Sequence, residues 1–141
     1  MQLSTAARYA LRAMVDLAQH RDQGAVQRVD IARRQALSED YLAQLLLKLK
    51  RAGLVESVRG PGGGYVLARD PAQIRAADVL RGVEETLAPV HCVDEDGEEA
   101  CDRAPGCPTQ RLWRRLGQAI DGVLEGVTVA ELAAPEQIKI I

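Results

Sequence analysis

Cys92, Cys101 and Cys107 are the only cysteines of the chain and fall within one 16-residue segment. Three thiols so close together suit soft-metal chemistry, as ligands of an iron–sulfur cluster or of zinc, and they can also be oxidised. An odd count, in a chain that opens straight into an amphipathic pattern without a signal-peptide profile, argues against a disulfide framework. His91 beside Cys92 and Asp102 beside Cys101 are the nearest candidates for a fourth ligand, although adjacent residues chelate one metal awkwardly; an exogenous molecule is the other candidate. Asp94, Glu95, Asp96, Glu98, Glu99 and Asp102 surround the thiols, with only Arg103 opposing them. Negative neighbours raise a thiol's pKa and disfavour an anionic thiolate-bound cluster. Cys107 is relieved of part of this by the helix predicted to start at Pro108, because a helix N-terminus favours thiolate. For the acids themselves a solvated loop is the plainer reading. Nucleophilic catalysis would need a base beside a thiol. Only His20 and His91 exist, and no nucleophile elbow, phosphate loop or paired-acid constellation accompanies them, so the chain does not read as an enzyme.

A second chemical feature is Ser57–Tyr65, Ser-Val-Arg-Gly-Pro-Gly-Gly-Gly-Tyr, set between the β-like runs Leu54-Val55-Glu56 and Tyr65-Val66-Leu67. Helix, strand, glycine-rich turn and strand is the order in which a winged helix-turn-helix builds its wing. Arg59 at the base of such a wing, with Gly60 and Gly62 leaving it unobstructed, can reach a DNA minor groove, whose negative potential attracts guanidinium groups. A flexible linker is the alternative, but linkers seldom separate two apolar strand segments. The glycines match neither the dinucleotide fingerprint nor the phosphate loop.

The elements that must position these residues follow from periodicity. Ser4 caps a helix over 5–20 whose apolar side is Ala6, Tyr9, Ala10, Ala13, Met14 and Leu17. A short helix over 30–35, a tight break, and a third helix from Ser38 to Ala52 give the helix-turn-helix pattern, with Gly53 at the left-handed terminus. In the third helix Leu42, Leu45, Leu46 and Leu49 form the buried stripe. Tyr41, Gln44, Lys48 and Arg51 form a polar row that either lies against DNA or is an ordinary solvated face; the wing that follows favours DNA. A helix over 76–85 presents Val79, Leu80 and Val83. From Pro108 to Gly126, Leu112, Leu116, Ile120, Val123 and Val127 make a continuous seam, interrupted by Gly117, Gly122 and Gly126. Each glycine costs roughly 1 kcal/mol relative to alanine inside a helix, which suits a place where another backbone approaches closely. A homodimer through this helix is expected, since helix-turn-helix proteins usually bind paired half-sites; a core helix folding back on its own domain is the alternative. Thr128 to Glu131 is a capping box for a last short helix.

The fold class is therefore mainly α with a small β-hairpin wing: a winged helix-turn-helix DNA-binding domain over 1–86, a cysteine-containing loop over 87–107, a dimerisation helix and short terminal helix over 108–134, and a mobile tail over 135–141. Hydrophobic residues make up 47% of the chain, enough for a packed core. No apolar run is long enough to cross a bilayer, and a cytoplasmic protein is expected. The net charge of −2 conceals a division. Residues 1–70 carry 11 Lys and Arg against 7 Asp and Glu, a net +4, whereas residues 71–141 carry 7 against 13, a net −6. The basic half holds the wing, as phosphate attraction requires.

Leu3-Ser4, Arg8-Tyr9-Ala10, Ala13-Met14, Tyr41-Leu42, Gln44-Leu45, the Ser57–Tyr65 block and the stretch from Cys107 to Trp113 together resemble the IscR-like bacterial transcription regulators. The resemblance covers nearly the whole chain. It implies a dimeric winged-helix repressor or activator on double-stranded DNA, with an iron–sulfur cluster (2Fe-2S or 4Fe-4S) held by the three cysteines and a fourth residue. It also implies Ser38, Tyr41 and Gln44 at the major groove and Arg59 at the minor groove. Two residues depart from the pattern. Ala43 stands where these regulators commonly carry a glutamate, and alanine cannot accept from cytosine N4, which implies relaxed base preference there. Gln110, a poor metal ligand, stands three residues after the last cysteine, where the regulator that gives the family its name has a histidine; the Cys92–Cys101 gap is also wider than in that regulator. Zinc binding or thiol oxidation in place of a cluster is the alternative sensor.

Overall fold

The computed structural model describes residues 2–94 and 101–135. The acids Glu95, Asp96, Glu98 and Glu99, and most of the expected tail, lie outside the described residues. The order is α1 (Thr5–Gln19), α2 (Arg28–Gln35), α3 (Glu39–Arg51), β1 (Val55–Val58), β2 (Gly64–Leu67), α4 (Ala76–Gly82), α5 (Gln110–Gly126) and α6 (Val129–Ala133), with short 3-10 turns at Arg21–Gln23, Pro71–Gln73 and His91–Val93.

Helix α1 begins where the Ser4 hydroxyl accepts from the Ala7 amide at 3.0 Å, satisfying one of the four free N–H groups of a helix start. Its buried face, Ala7, Ala10, Ala13, Met14 and Leu17, is mostly small, so α2, α3, α4, α6 and β2 all pack against this one helix. Ile31 and Ala32 of α2, the four leucines Leu42, Leu45, Leu46 and Leu49 of α3, Leu54 and Val55, then Ile74, Val79, Leu80, Val83 and Val129 complete the core. The leucine stripe of α3 is thus buried as its spacing predicts.

The turn between α2 and α3 carries a strained residue. Ala36 has φ +54° and caps α2 in the left-handed region, a conformation that costs an L-residue with a Cβ roughly 1–2 kcal/mol. The tight break between the two helices requires it there. A buried polar link that periodicity does not reveal joins α1 to α2. Asp16, 1% exposed, accepts from Arg34 Nε at 2.9 Å, Arg34 Nη2 at 2.8 Å and Gln35 Nε2 at 2.9 Å. Gln35 in turn accepts from Arg12 at 3.1 Å.

Helix α2 starts at Arg28, two residues before the sequence expectation, and two later boundaries differ as well. Helix α4 stops at Gly82 rather than 85 because Val83 leaves helical geometry and Glu84 takes φ +63°, returning the Glu85 amide to the Leu80 carbonyl at 3.0 Å. Helix α5 starts at Gln110 rather than Pro108, because residues 107–110 first close a turn, Gln110 N donating to Cys107 O at 3.3 Å. After α5 the chain returns to the body: Ala76 N donates to Val127 O, and Val129 N to Ile74 O, both at 2.8 Å. Thr128 caps α6, its hydroxyl accepting from Glu131 N at 3.2 Å.

No residue of α5 is buried, although one of its sides is continuously apolar. Leu112 and Val123 are 56% and 66% exposed. An apolar groove of about 630 Å³ runs along this side, lined by Leu3, Leu87, Pro89, Ile120, Val123 and Leu124 among others. Of the three glycines, only Gly117 meets a neighbour, Pro89 at 3.3 Å from an ideal Cβ; Gly122 and Gly126 face open space. Among the described residues no helix is long and apolar enough to cross a membrane.

Candidate nucleic-acid interface and cysteine loop

The outer side of α3 and the wing lie next to each other because β1 follows α3 after a three-residue link, Ala52 to Leu54, that turns on Gly53 at φ +75°. Lys50 Nζ then donates to Ser57 Oγ at 2.8 Å, fixing the base of the wing to the helix. Ser38 caps α3, its hydroxyl accepting from Tyr41 N at 3.2 Å. Tyr41 is half-buried, packed edge-on against Tyr9 with centroids 6.1 Å apart, so the ring braces α3 on α1 as well as bordering the outer side. Gln44 and Arg51 are exposed, with no hydrogen-bond or ion-pair partner among the described residues. Lys48, in the same polar row, has an acidic neighbour. Its ammonium sits 3.6 Å from Glu84, so this lysine leans toward the end of α4 rather than standing free.

Strand pairs Val55–Leu67 through Val58–Gly64 form the antiparallel wing. Gly63 N closes its tip on Gly60 O at 2.9 Å. Gly60 and Gly62 hold φ +95° and +74° with open space around them, which supplies the turn. Gly64 does a different job: an ideal Cβ there would lie 2.3 Å from Val26 O, because Tyr65 and Val26 exchange backbone hydrogen bonds of 2.9 and 2.8 Å. The wing is therefore stitched to the entrance of α2, a contact that strand propensity alone does not reveal. Arg59 is exposed and has no partner among the described residues.

In the cysteine loop, Cys92 sits in the 3-10 turn His91–Val93, and all three thiols are unbridged and half-buried. The Cys107 thiol is held below its ordinary pKa, first by the Thr109 hydroxyl at 3.2 Å, then by the backbone N–H groups of Thr109 and Gln110 and the charge of Arg103, against slight desolvation. The late start of α5 leaves those two amides directed at the sulfur. Gln110 Nε2 donates to the Cys92 carbonyl at 3.4 Å, joining the first and last cysteine turns. Cys101 is linked to Cys107 through Ala104, whose N–H donates to Cys101 O at 3.0 Å and whose carbonyl accepts from Cys107 N at 3.4 Å. Among the described residues, no three His, Cys, Asp or Glu side chains gather closely enough to hold a metal ion. The three cysteines, His91 and Asp102 fit a soft metal centre by the chemistry of the thiols, and not by a preformed ligand sphere.

Three consecutive residues connect this loop to the helices. Glu84 pairs with Lys48 of α3, Glu85 accepts from the backbone N and hydroxyl of Ser4 at the start of α1, and Thr86 Oγ1 donates to Asp94 at 2.7 Å, two residues after Cys92.

Residues 3–135 match the Rrf2 family, described as an iron-dependent transcriptional regulator. The chain is 40% identical over 141 residues to the HTH-type transcriptional regulator IscR of Serratia proteamaculans (strain 568), covering all of this chain and 84% of that protein. It is 41% identical over 138 residues to the regulator of the same name from Photorhabdus laumondii subsp. laumondii, covering 98% and 82%. Among solved structures it resembles CymR (YrzC), the global cysteine regulator of B. subtilis, with a TM-score of 0.78 and 40% identity over 94% of this chain and 96% of that one. T. potens IscR superposes with a TM-score of 0.75 and 39% identity over 94% and 85%. Its relatives are transcription regulators rather than enzymes, and their winged-helix architecture is the one built here from α1–α4 and the β1–β2 wing: the chain belongs to the Rrf2 family of DNA-binding transcription regulators.

Proposed function

We propose that the chain acts as a homodimer that grips double-stranded DNA with α3 in the major groove and Arg59 in the minor groove, and that a centre on Cys92, Cys101 and Cys107 tunes the grip. The observation that carries the DNA contacts is Arg59: an exposed guanidinium, without a partner among the described residues, on a wing whose base is tied to α3 by Lys50. Ser38, Tyr41 and Gln44 supply hydroxyl and amide groups on the adjoining side of α3, and Gly60 and Gly62 keep the wing narrow enough to approach a groove. Lys48 belongs to the same row, and its exposed pair with Glu84 is weak enough to give way to a phosphate. A regulator that acts on DNA in this way works in the cytoplasm.

The apolar groove beside α5 supports the dimer. A helix of 17 residues with no buried side chain gains little from folding alone, and covering Leu112, Ile120 and Val123 with a second α5 removes that exposed surface from water. Val123→Glu will therefore shift the protein to monomer in sedimentation measurements; a dimer that persists unchanged sinks the assignment of this surface.

An iron–sulfur cluster on Cys92, Cys101 and Cys107 would supply a redox-labile, gas-sensitive centre. The chain's own residues do the rest. Thr109 and two backbone amides hold Cys107 toward thiolate, Gln110 holds the Cys92 turn against α5, and the Thr86–Asp94 and Glu84–Lys48 contacts lead from that turn to α3. Protein purified without oxygen will be brown, with iron and sulfide in stoichiometric amounts, and Cys92→Ala, Cys101→Ala and Cys107→Ala will each abolish iron loading. A variant that keeps a full cluster removes that residue from the ligand set. The lowered Cys107 thiol favours a second reading, oxidation of the thiols or zinc binding. Colourless protein whose DNA affinity changes on mild oxidation or on zinc removal would establish it in place of the first.

A further inference from the structure

We infer that Leu47 reads the C5-methyl group of a thymine in the major groove, making an apolar side chain a determinant of base preference. The inference rests on the reading that α3 enters that groove. At about 100° per residue, Leu47 lies across the helix from the core stripe, between Ala43 and Arg51 and beside Gln44. It is 48% exposed, whereas Leu42, Leu45, Leu46 and Leu49 are at most 2% exposed. Helix α3 spends its inward side on α1, α2, α4 and β1.

A single exposed leucine on a protein surface ordinarily means little. This one shares its side of the helix with groups that suit base edges and that have no partner among the described residues: the Asp40 carboxylate, the Gln44 amide and the Arg51 guanidinium. Ala43, one turn before Leu47, brings no polar group to the same strip. A leucine pressed on guanine O6 and N7, or on cytosine N4, would desolvate a polar edge without replacing its hydrogen bonds. Pressed on thymine, it buries a methyl group against methyl groups, and thymine is the one base that presents such a group in the major groove.

The test uses the full-length protein and duplexes enriched from a random-sequence library. Each thymine of an enriched duplex is replaced in turn by deoxyuridine, which differs only in lacking the C5-methyl group, and affinity is read by fluorescence anisotropy at fixed salt. One thymine in each half-site should cost about fourfold on demethylation, the value of one buried methylene-sized group. Leu47→Ser, whose folding circular dichroism checks, should bind the thymine and uracil duplexes equally and keep the wild-type salt dependence. The inference is overturned if no thymine responds in the wild type, if Leu47→Ser retains the same thymine-to-uracil ratio, or if it changes the oligomeric state instead. Gln44→Ala and Arg59→Ala separate the two levels. If both leave duplex affinity unchanged, the groove reading itself fails; if both weaken it while uracil is tolerated everywhere, only the role of Leu47 fails.

Discussion

Asp16→Asn isolates the buried charge that joins α1 to the helix-turn-helix. The carboxylate is 1% exposed and accepts three hydrogen bonds, two from Arg34 and one from Gln35, at 2.8–2.9 Å. Breaking a buried pair by removing one partner typically costs about 3–5 kcal/mol. Here the value belongs at the low end, about 3 kcal/mol, because the Arg34 side chain is 29% exposed and can turn to water once its partner is neutral. The pH dependence follows from the direction of the shift. Burial raises the carboxyl's pKa, but the hydrogen bonds from Arg34 and Gln35, with the charges of Arg34 and His20, outweigh it and hold the folded value below 3.8. The unfolded chain therefore takes up the proton first as pH falls. The stability contributed by this charge is complete above the unfolded value near 3.8 and is lost as pH drops through the lower folded value. Urea unfolding at one protein concentration, followed by circular dichroism, should give a constant gap between wild type and Asp16→Asn from pH 8 to 5 that narrows only below about 4. No gap at pH 7, or a gap that stays constant through the acid range, would refute the argument that an ionised Asp16 holds these helices together.

Other perturbations probe the wing and the turns. Arg59→Ala should weaken DNA binding at least tenfold and lower the slope of log affinity against log salt by about 1, with the melting temperature unchanged, because the side chain is exposed and has no partner among the described residues; titrations at several salt concentrations measure this. Gly64→Ala should destabilise the protein by about 2–3 kcal/mol in urea, since its Cβ would meet the Val26 carbonyl at 2.3 Å and break the wing from the entrance of α2. Gly62→Ala meets no neighbour but inherits φ +74°, so its cost should be smaller, about 1 kcal/mol, in the same assay. Ala36→Gly should stabilise by about 0.5–1 kcal/mol, relieving the left-handed residue at the α2 cap less the extra freedom glycine gives the unfolded chain.

Much of the fold is legible in local sequence because its signals are local. Ser4, Ser38 and Thr128 begin helices by accepting from the amide three residues on. The leucines of α3 repeat at helical spacing and are buried, and the glycine-rich turn falls between the two strands that pair. What was not legible depends on distant partners. Asp16 sits on the buried side of α1, where an acid looks misplaced until Arg34 and Gln35, 18 and 19 residues away, are brought to it. Gly64 looks like one of four equivalent wing glycines until Val26 is placed against it. The ends of α4 and the start of α5 move for a related reason: hydrogen bonds around Glu84 and Cys107 compete with continued helix.

The same distinction orders the two halves of the functional reading. The surface proposed to face DNA was readable as one neighbourhood because a helix and a hairpin adjacent in sequence are adjacent in space, and Gln44, Arg51 and Arg59 there have no partner among the described residues. The ion pair of Lys48 was not readable because its partner, Glu84, is 36 residues further on. The cysteines are the harder case. Their spacing shows three soft donors in one loop, yet the contacts around them are structural: Gln110 on the Cys92 carbonyl, Ala104 between Cys101 and Cys107, Thr109 on the Cys107 sulfur. Gln110 stands where the resemblance places a histidine ligand, and here it spends its amide on backbone, which restrains the loop without supplying a fourth metal donor. A centre held by three thiols and one outside molecule would then be bound through a loop already fastened to α5 at Gln110 and, by the Thr86–Asp94 hydrogen bond, to the segment that carries Glu84, the ion-pair partner of Lys48 on α3.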